Sequence, residues 1–323
     1  MHLLKLISGV ALAIASLGAS AQQYPTKPVT IVVPFAAGGP TDTVARSVAQ
    51  AMEKSLGGNV IVENKPGAGG TIGAADVARA PADGYKILVW HIGMATAPAL
   101  YRKLPFDPLK DYQYIGLIND VPMTLLVRPN LPVSTVKELT AYVKANKDKV
   151  TLANAGIGAA SHLCGLLFQQ AIETDLTTVP YKGTAPAITD LIGGQVDILC
   201  DQTTNTTEQI KAGKVKALAL TAPKRLETLK DLPTASEAGL TGFELSIWHG
   251  MYAPKGTPQP VVDKLVAALQ AALKDPGLNK RFADLGSVTV TADRATPDGL
   301  GKHLKSEIDK WSPIIKKAGV YAD

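Results

Sequence analysis

Short apolar runs rich in β-branched residues alternate along the chain with stretches whose apolar positions recur every three or four residues, the pattern of parallel β-α-β units. Residues 29–33 read as the first strand, closed by Pro34, and residues 41–56 place Val44, Val48, Met52 and Leu56 four apart on one face of a helix. Residues 60–63 and 86–90 read as further strands, with a Gly-rich stretch at 67–73 and a helix at 74–79 between them. A second unit follows: a helix from Ser134 to about Asn146, a strand at 151–154, a helix at 161–172, an extended piece at 179–181, a helix at 185–192 and a strand at 196–200. Between the units, Pro122, Pro129 and Pro132 surround residues 124–127, which are expected to form a connection or an edge strand because proline cannot donate to a central ladder.

The last third holds a strand at 217–221, a helix at 260–273, a strand at 288–291 and a helix at 299–317 whose Leu300, Leu304, Ile308, Trp311 and Ile315 make an apolar stripe. It lacks the consecutive strands of a separate sheet and is placed back on the first unit. The expected organisation is therefore a first domain at 22–123, a second at 124–222, and a return to the first from 223 to 323.

Residues 1–21 are of another kind. Lys5 precedes an apolar run at 6–17, and Ala19-Ser20-Ala21 has the small-residue pattern of a secretory cleavage site. The run is shorter than the roughly 20 residues that cross a bilayer. A leader cut after Ala21 and an exported mature protein are expected. Export leaves two readings for the only cysteines, Cys164 and Cys200: one disulfide, or two inert buried thiols.

With 46% hydrophobic and 19% charged residues the chain has enough apolar side chain for a core. The net charge of +5 is not gathered into any basic block longer than two residues, so no nucleic-acid groove is expected. No phosphate-loop or nucleophile-elbow motif is present, and Ile72 stands where a dinucleotide fingerprint needs the last glycine after Gly67 and Gly69. His91, His162, His249 and His303 are too dispersed for metal-ligand spacing. Ser161 and His162 are adjacent at a helix start and point about 100° apart, a poor dyad for a secreted α/β enzyme. Neither catalysis nor a cofactor is expected.

What the sequence offers twice is a strand running into a small-residue loop and then a helix start: residues 34–42, with Phe35, Ala37, Gly38, Gly39, Thr41 and Asp42, and residues 154–162, with Asn154, Gly156, Gly158, Ala159, Ala160, Ser161 and His162. Glycine and alanine let a ligand approach the main chain, and exposed N–H groups at a helix start favour an anion. As ordinary βα turns, the same loops would need their glycines only for turn geometry and Thr41 and Ser161 only as caps.

The run Tyr24-Pro25-Thr26-Lys27-Pro28-Val29-Thr30-Ile31-Val32-Val33-Pro34-Phe35-Ala36-Ala37-Gly38-Gly39, followed by Asp42, closely resembles the opening of the Bug-type extracytoplasmic solute receptors of tripartite tricarboxylate transporters. Glu63-Asn64-Lys65-Pro66-Gly67-Ala68-Gly69-Gly70, Pro180-Tyr181-Lys182-Gly183-Thr184-Ala185-Pro186-Ala187 and Thr234-Ala235-Ser236-Glu237-Ala238-Gly239 extend the resemblance along nearly the whole mature chain. It implies an α/β fold of the type II periplasmic-binding-protein class, two domains joined by a double crossover, closing on one small carboxylate that is passed to membrane permease subunits. It further implies main-chain donors at Ala37, Gly38 and Gly39 on one side and at Gly158, Ala160 and Ser161 on the other, with Asp201 positioning water or a hydroxyl. For a distal amine Asp201 would be the partner; for a second carboxylate, His91, Thr96 or Tyr181. Trp248 and His249 would line the crevice or sit in the core. Many relatives carry an aromatic residue where this chain has Cys200, which suggests a more hydrogen-bonding wall formed with Gln202, Thr203, Thr204 and Asn205. Hinges are expected near 121–127 and 221–225, and the protein is expected to be a monomer.

Overall fold

The computed structural model describes residues 24–322; the expected leader lies outside them. The first βα unit is β1 (Val29–Val33), α1 (Pro40–Leu56), β2 (Val60–Asn64), α2 (Thr71–Ala78), β3 (Lys86–His91) and α3 (Gly93–Leu100). β1 lies between β2 and β3, all parallel, and its residues are almost wholly buried, as apolar runs of a covered parallel strand must be.

β4 (Tyr112–Val127) then connects the two halves of the molecule. Its residues 112–122 pair antiparallel with β9 (Ser246–Pro254), which lies beside β3, and β10 (Val288–Thr289) pairs on its other side. Its residues 123–127 lie between β7 (Ile198–Gln202) and β8 (Lys216–Leu220). Residues 124–127, expected as an edge or connection, are thus central in the second sheet. Pro122 is tolerated because it stands where the strand leaves one sheet for the other.

The second half adds α4 (Val136–Asn146), β5 (Thr151–Asn154), α5 (Ala160–Ala171), β6 (Thr177–Pro180), α6 (Thr184–Ile192) and α7 (Thr203–Lys211), with β5 between β6 and β7 in parallel. The segment after β8 stays with this half. Leu229 and Leu232 pack on Leu220, Phe243 meets the ring of Phe168 on α5, and Leu220 and Ala235 exchange main-chain hydrogen bonds with their neighbours across the segment. The return to the first half therefore begins at β9 rather than at 223, and continues with α8 (Gln259–Ala272), α9 (Pro276–Asp284) and α10 (Pro297–Ala318).

The two crossing segments are tied at one residue. The Thr221 N–H donates to the Met123 carbonyl at 2.8 Å, and Thr221 Oγ1 donates to the Leu245 carbonyl at 2.6 Å while accepting from the Met123 N–H at 2.8 Å. Cys164 on α5 and Cys200 on β7 form a disulfide with a Cα–Cα separation of 6.0 Å.

Candidate binding site

Four helices start at one small cavity between the lobes. Its wall is formed by Phe35, Pro40 and Thr41 at the start of α1, His91 at the end of β3, Ala155, Ala160 and Ser161 at the start of α5, Thr184 at the start of α6, and Asp201 and Gln202 where β7 runs into α7. The residues before these helices, Gly39, Ala159, Gly183 and Gln202, make no side-chain cap hydrogen bond. α2, α3 and α8 share that feature, whereas α4, α9 and α10 are capped by Thr135, Asp275 and Thr296. The first N–H groups of a helix have no partner inside it, and each start carries roughly half a positive charge. Four such starts at one point make a field that favours an anion, without a Lys or Arg in the wall.

The polar side chains of the wall are buried and only partly satisfied. Thr184 Oγ1 and Gln202 Oε1 have no hydrogen-bond partner among the described residues. Such groups cost free energy when desolvated, and two of them on one cavity wall can be paired by a ligand or by water. Thr41 is fixed from behind by a buried relay: its hydroxyl meets His249 Nε2 at 3.3 Å, His249 Nδ1 donates to Asn119 Oδ1 at 2.9 Å, and Asn119 Nδ2 donates to Ser287 Oγ at 2.9 Å. Burial holds His249 well below the usual histidine range, helped by neighbouring His91, so this relay runs between neutral groups. His91 Nδ1 accepts from the Gly93 N–H at 3.0 Å, and burial lowers its pKa to about 3, which leaves the ring neutral with the proton on Nε2. Phe35 stacks on His91 with centroids 4.8 Å apart.

Asp201 is the one carboxylate in the wall. It is 1% exposed, Oδ1 accepts from the Gln202 N–H at 2.8 Å and Oδ2 from Asn205 Nδ2 at 2.6 Å. Burial raises its pKa to about 6 against the lowering effect of its hydrogen bonds from Asn205 and Gln202.

Of the residues singled out from the sequence, Phe35, Thr41, His91, Ala160, Ser161 and Asp201 line the cavity, as does Gln202 of the polar run expected to form its wall. Others build it from outside. The Gly38 N–H, expected to face a ligand, donates to Asp42 Oδ2 at 2.9 Å, and the Gly158 N–H donates to His162 Nδ1 at 3.3 Å; neither amide is available to a ligand in this conformation. The Asp42 carboxylate faces away from the cleft, accepting also from Arg46 Nε and Asn64 Nδ2, each at 2.9 Å. Although burial works the other way, those three donors hold its pKa below the ordinary value. Asn154 Oδ1 accepts from the Gly156 N–H, and the Gly156 carbonyl accepts from the Ala159 N–H. Ala37 and Gly38 are exposed, and Gly39 is packed at the seam against Thr184 and Ala185. Thr96 reaches across the lobes to donate to the Gly158 carbonyl at 3.1 Å. Tyr181 donates instead to Asp190 Oδ2 at 2.7 Å, and Trp248 to Glu307 Oε2 at 3.2 Å. His162 also borders a groove between α5 and α10, outside the cavity.

Sequence reasoning passed over Pro40, Ala155 and Thr184. Thr184 was accessible by the same logic that found the first two loops, since it also stands where a strand, β6, runs into a helix start.

The lobes meet around this cavity. The Ala36 N–H donates to the Lys182 carbonyl at 2.9 Å, the Tyr101 hydroxyl lies 2.8 Å from the Ile157 carbonyl, and Thr203 donates to the Gly286 carbonyl at 3.0 Å. Glycines carry the closest approach: a Cβ on Gly69 would lie 1.9 Å from the Ile157 carbonyl oxygen across the seam.

Comparison with known proteins places this geometry among others. A family model described as the tripartite tricarboxylate transporter family receptor matches residues 44–320. A protein of Agrobacterium vitis, described as a UPF0065 protein in the TAR-I ttuE-ttuC' intergenic region, is 54% identical over 296 residues, 92% of this chain and 86% of that one. The solved periplasmic binding protein BugD superposes with a TM-score of 0.90 at 57% identity, covering 92% of this chain and 99% of its own. MatC of Rhodopseudomonas palustris, solved with bound malate, gives 0.87 at 41% identity, covering 90% of this chain and 100% of its own.

Proposed function

Since this chain belongs to the tripartite tricarboxylate transporter receptor family, a family of solute receptors rather than enzymes, we propose that it is a periplasmic receptor that closes on one small organic carboxylate and delivers it to membrane permease subunits. The observation that carries the carboxylate class is the cavity itself: four uncapped helix starts drawn from both lobes, with unpartnered Thr184 and Gln202 and no cationic side chain in the wall. An anion held by main-chain N–H groups needs no arginine. The malate in the relative supports the same class.

In mechanism, the open protein offers Ser161, Thr184 and Gln202 on one lobe and Thr41 and His91 on the other. A carboxylate that touches both sets stabilises the closed arrangement by its differential affinity for it. The two strands crossing at Met123 and Leu245, joined through Thr221, are the place where the lobes turn.

A thermal-shift and calorimetric screen of mono- and dicarboxylates, amino acids and aromatic acids tests the reading. At least one small carboxylate is expected to raise the melting temperature, with a stabilisation of about 2.7 kcal/mol at a hundredfold excess over Kd. A panel without a single binder among the carboxylates would end the proposal. Delivery is read separately, by loss of uptake of that same acid in cells lacking this chain.

A further inference from the structure

A second negative charge has to be accommodated in a wall that already contains one. Asp201 faces the cavity from the end of β7 and is completely enclosed, and no Lys or Arg lines the space with it. The groups that surround it are uncharged from every side. β4 brings Thr124, which donates to the Asp201 carbonyl at 3.1 Å; α7 brings Asn205, and α6 brings Thr184. α5 brings Ser161, whose Oγ accepts from the Ala155 N–H at 2.7 Å, and His162, whose burial lowers its pKa to about 4. β3 brings His91, neutral for the same reason, and β9 brings His249 behind Thr41. The nearest carboxylate on α1, Asp42, is turned away and paired with Arg46.

The helix starts can offset one carboxylate. A dicarboxylate, or a monocarboxylate whose oxygens approach Asp201, places like charges within one desolvated space, where two carboxyl groups cannot both stay ionised. Resting on the carboxylate reading of the site, we propose that a dicarboxylate enters this cavity together with one proton, which is taken from solvent by the Asp201 carboxylate; the resulting O–H turns Asp201 from an acceptor that repels the ligand into a donor toward it. Asp201 is already poised for this by its burial, which keeps its pKa at about 6 before any ligand arrives. The acids themselves are fully ionised in solution above neutrality, so any proton counted on binding is drawn in by the complex, and the Asp201 variant reports whether Asp201 is needed for it.

The sign follows from linkage. Below pH 6 Asp201 is protonated beforehand and binding takes up little; above it each unit of pH costs about tenfold in affinity until the pKa of the complex is passed. Isothermal titration with L-malate, succinate and adipate, in buffers of different ionisation enthalpy between pH 7 and 8, counts the protons directly. Near one proton per molecule of the acid that binds is expected, with affinity falling about tenfold from pH 7 to 8. The Asp201→Asn variant is expected to bind with no net uptake and a flat pH profile. Tight binding with fewer than about 0.2 protons taken up overturns the proposal, as does undiminished uptake in the variant. Should Asp201→Asn not fold, the proton count of the unaltered protein decides alone. Failure of all three acids to bind, alongside a monocarboxylate or amino acid that does, would refute the dicarboxylate coupling while leaving the receptor reading intact; no binding by any carboxylate would remove both.

Discussion

Asp42 shows how a side chain two positions inside a helix can decide the shape of a ligand loop without meeting the ligand. Its two oxygens collect the Gly38 amide, the Arg46 guanidinium and the Asn64 amide, and Gly38 takes φ of +80° to bring its N–H there, a conformation that glycine enters at no steric cost. Removing the carboxylate strands those donors. Asp42→Ala is expected to lower stability by about 1–3 kcal/mol, read from the urea midpoint, and to weaken the ligand more than a surface Asp→Ala does. Because the folded pKa is depressed, the contribution of Asp42 is present above the unfolded value of about 4 and is lost as pH falls through the folded one. At this scale the sequence was a partial guide. Small residues and helix starts marked both loops, but which amide faces inward depends on turns such as Gly38 to Asp42 and Gly158 to His162, whose geometry no residue type announces. Tyr181 is the plainest case: it belongs to a matched motif, yet its hydroxyl goes to Asp190.

Among the elements, those with strong periodicity were legible. The strands β1 to β3 and β5 to β8 and the helices α1, α4, α5, α8 and α10 fall close to where their apolar spacing puts them. The missing ones lack such a signal. β9 is central in the first sheet, yet it reads Ser-Ile-Trp-His-Gly-Met-Tyr-Ala-Pro, with polar His249 and flexible Gly250 at its middle because one face backs the Thr41 relay. α7 is a helix made largely of threonine, a poor helix former, held by burial of Thr203, Thr204, Thr206 and Thr207. The disulfide joins two elements that both end at the cavity, since Cys200 adjoins Asp201 and Cys164 lies one turn beyond Ala160. For a separation of 36 residues its loss is expected to cost about 3–4 kcal/mol. Urea denaturation with and without dithiothreitol measures this, and the reduced protein should also bind its acid more weakly, because α5 and β7 are no longer fixed to each other.

For the molecule as a whole, the lobes close on backbone. Gly69, with φ of +61°, and Gly156, with φ of +104°, face one another at the seam, and Gly183 sits against Ala36. Such contacts between distant segments were beyond reach from the chain alone; periodicity gave two α/β units and a returning third part, and the family resemblance added the double crossover and the cleft between them. Gly69→Ala should fold, since alanine in the left-handed region costs only about 1–2 kcal/mol, but its methyl group would occupy the place of the Ile157 oxygen. The variant is expected to stay open: small-angle scattering should show a radius of gyration unchanged by an acid that contracts the unaltered protein, with affinity reduced at least tenfold. Contraction equal to that of the unaltered protein would show that the seam is not the gate.

The helix starts around the cavity are divided unequally, one on the first lobe and three on the second. On the proposed reading, an acid arriving at the parted jaws would find most of its welcome on a single side and settle there before the other swings over. Capture would then be a property of the second lobe and residence time a property of the first, so that letting the cargo go would ask only for α1 to withdraw.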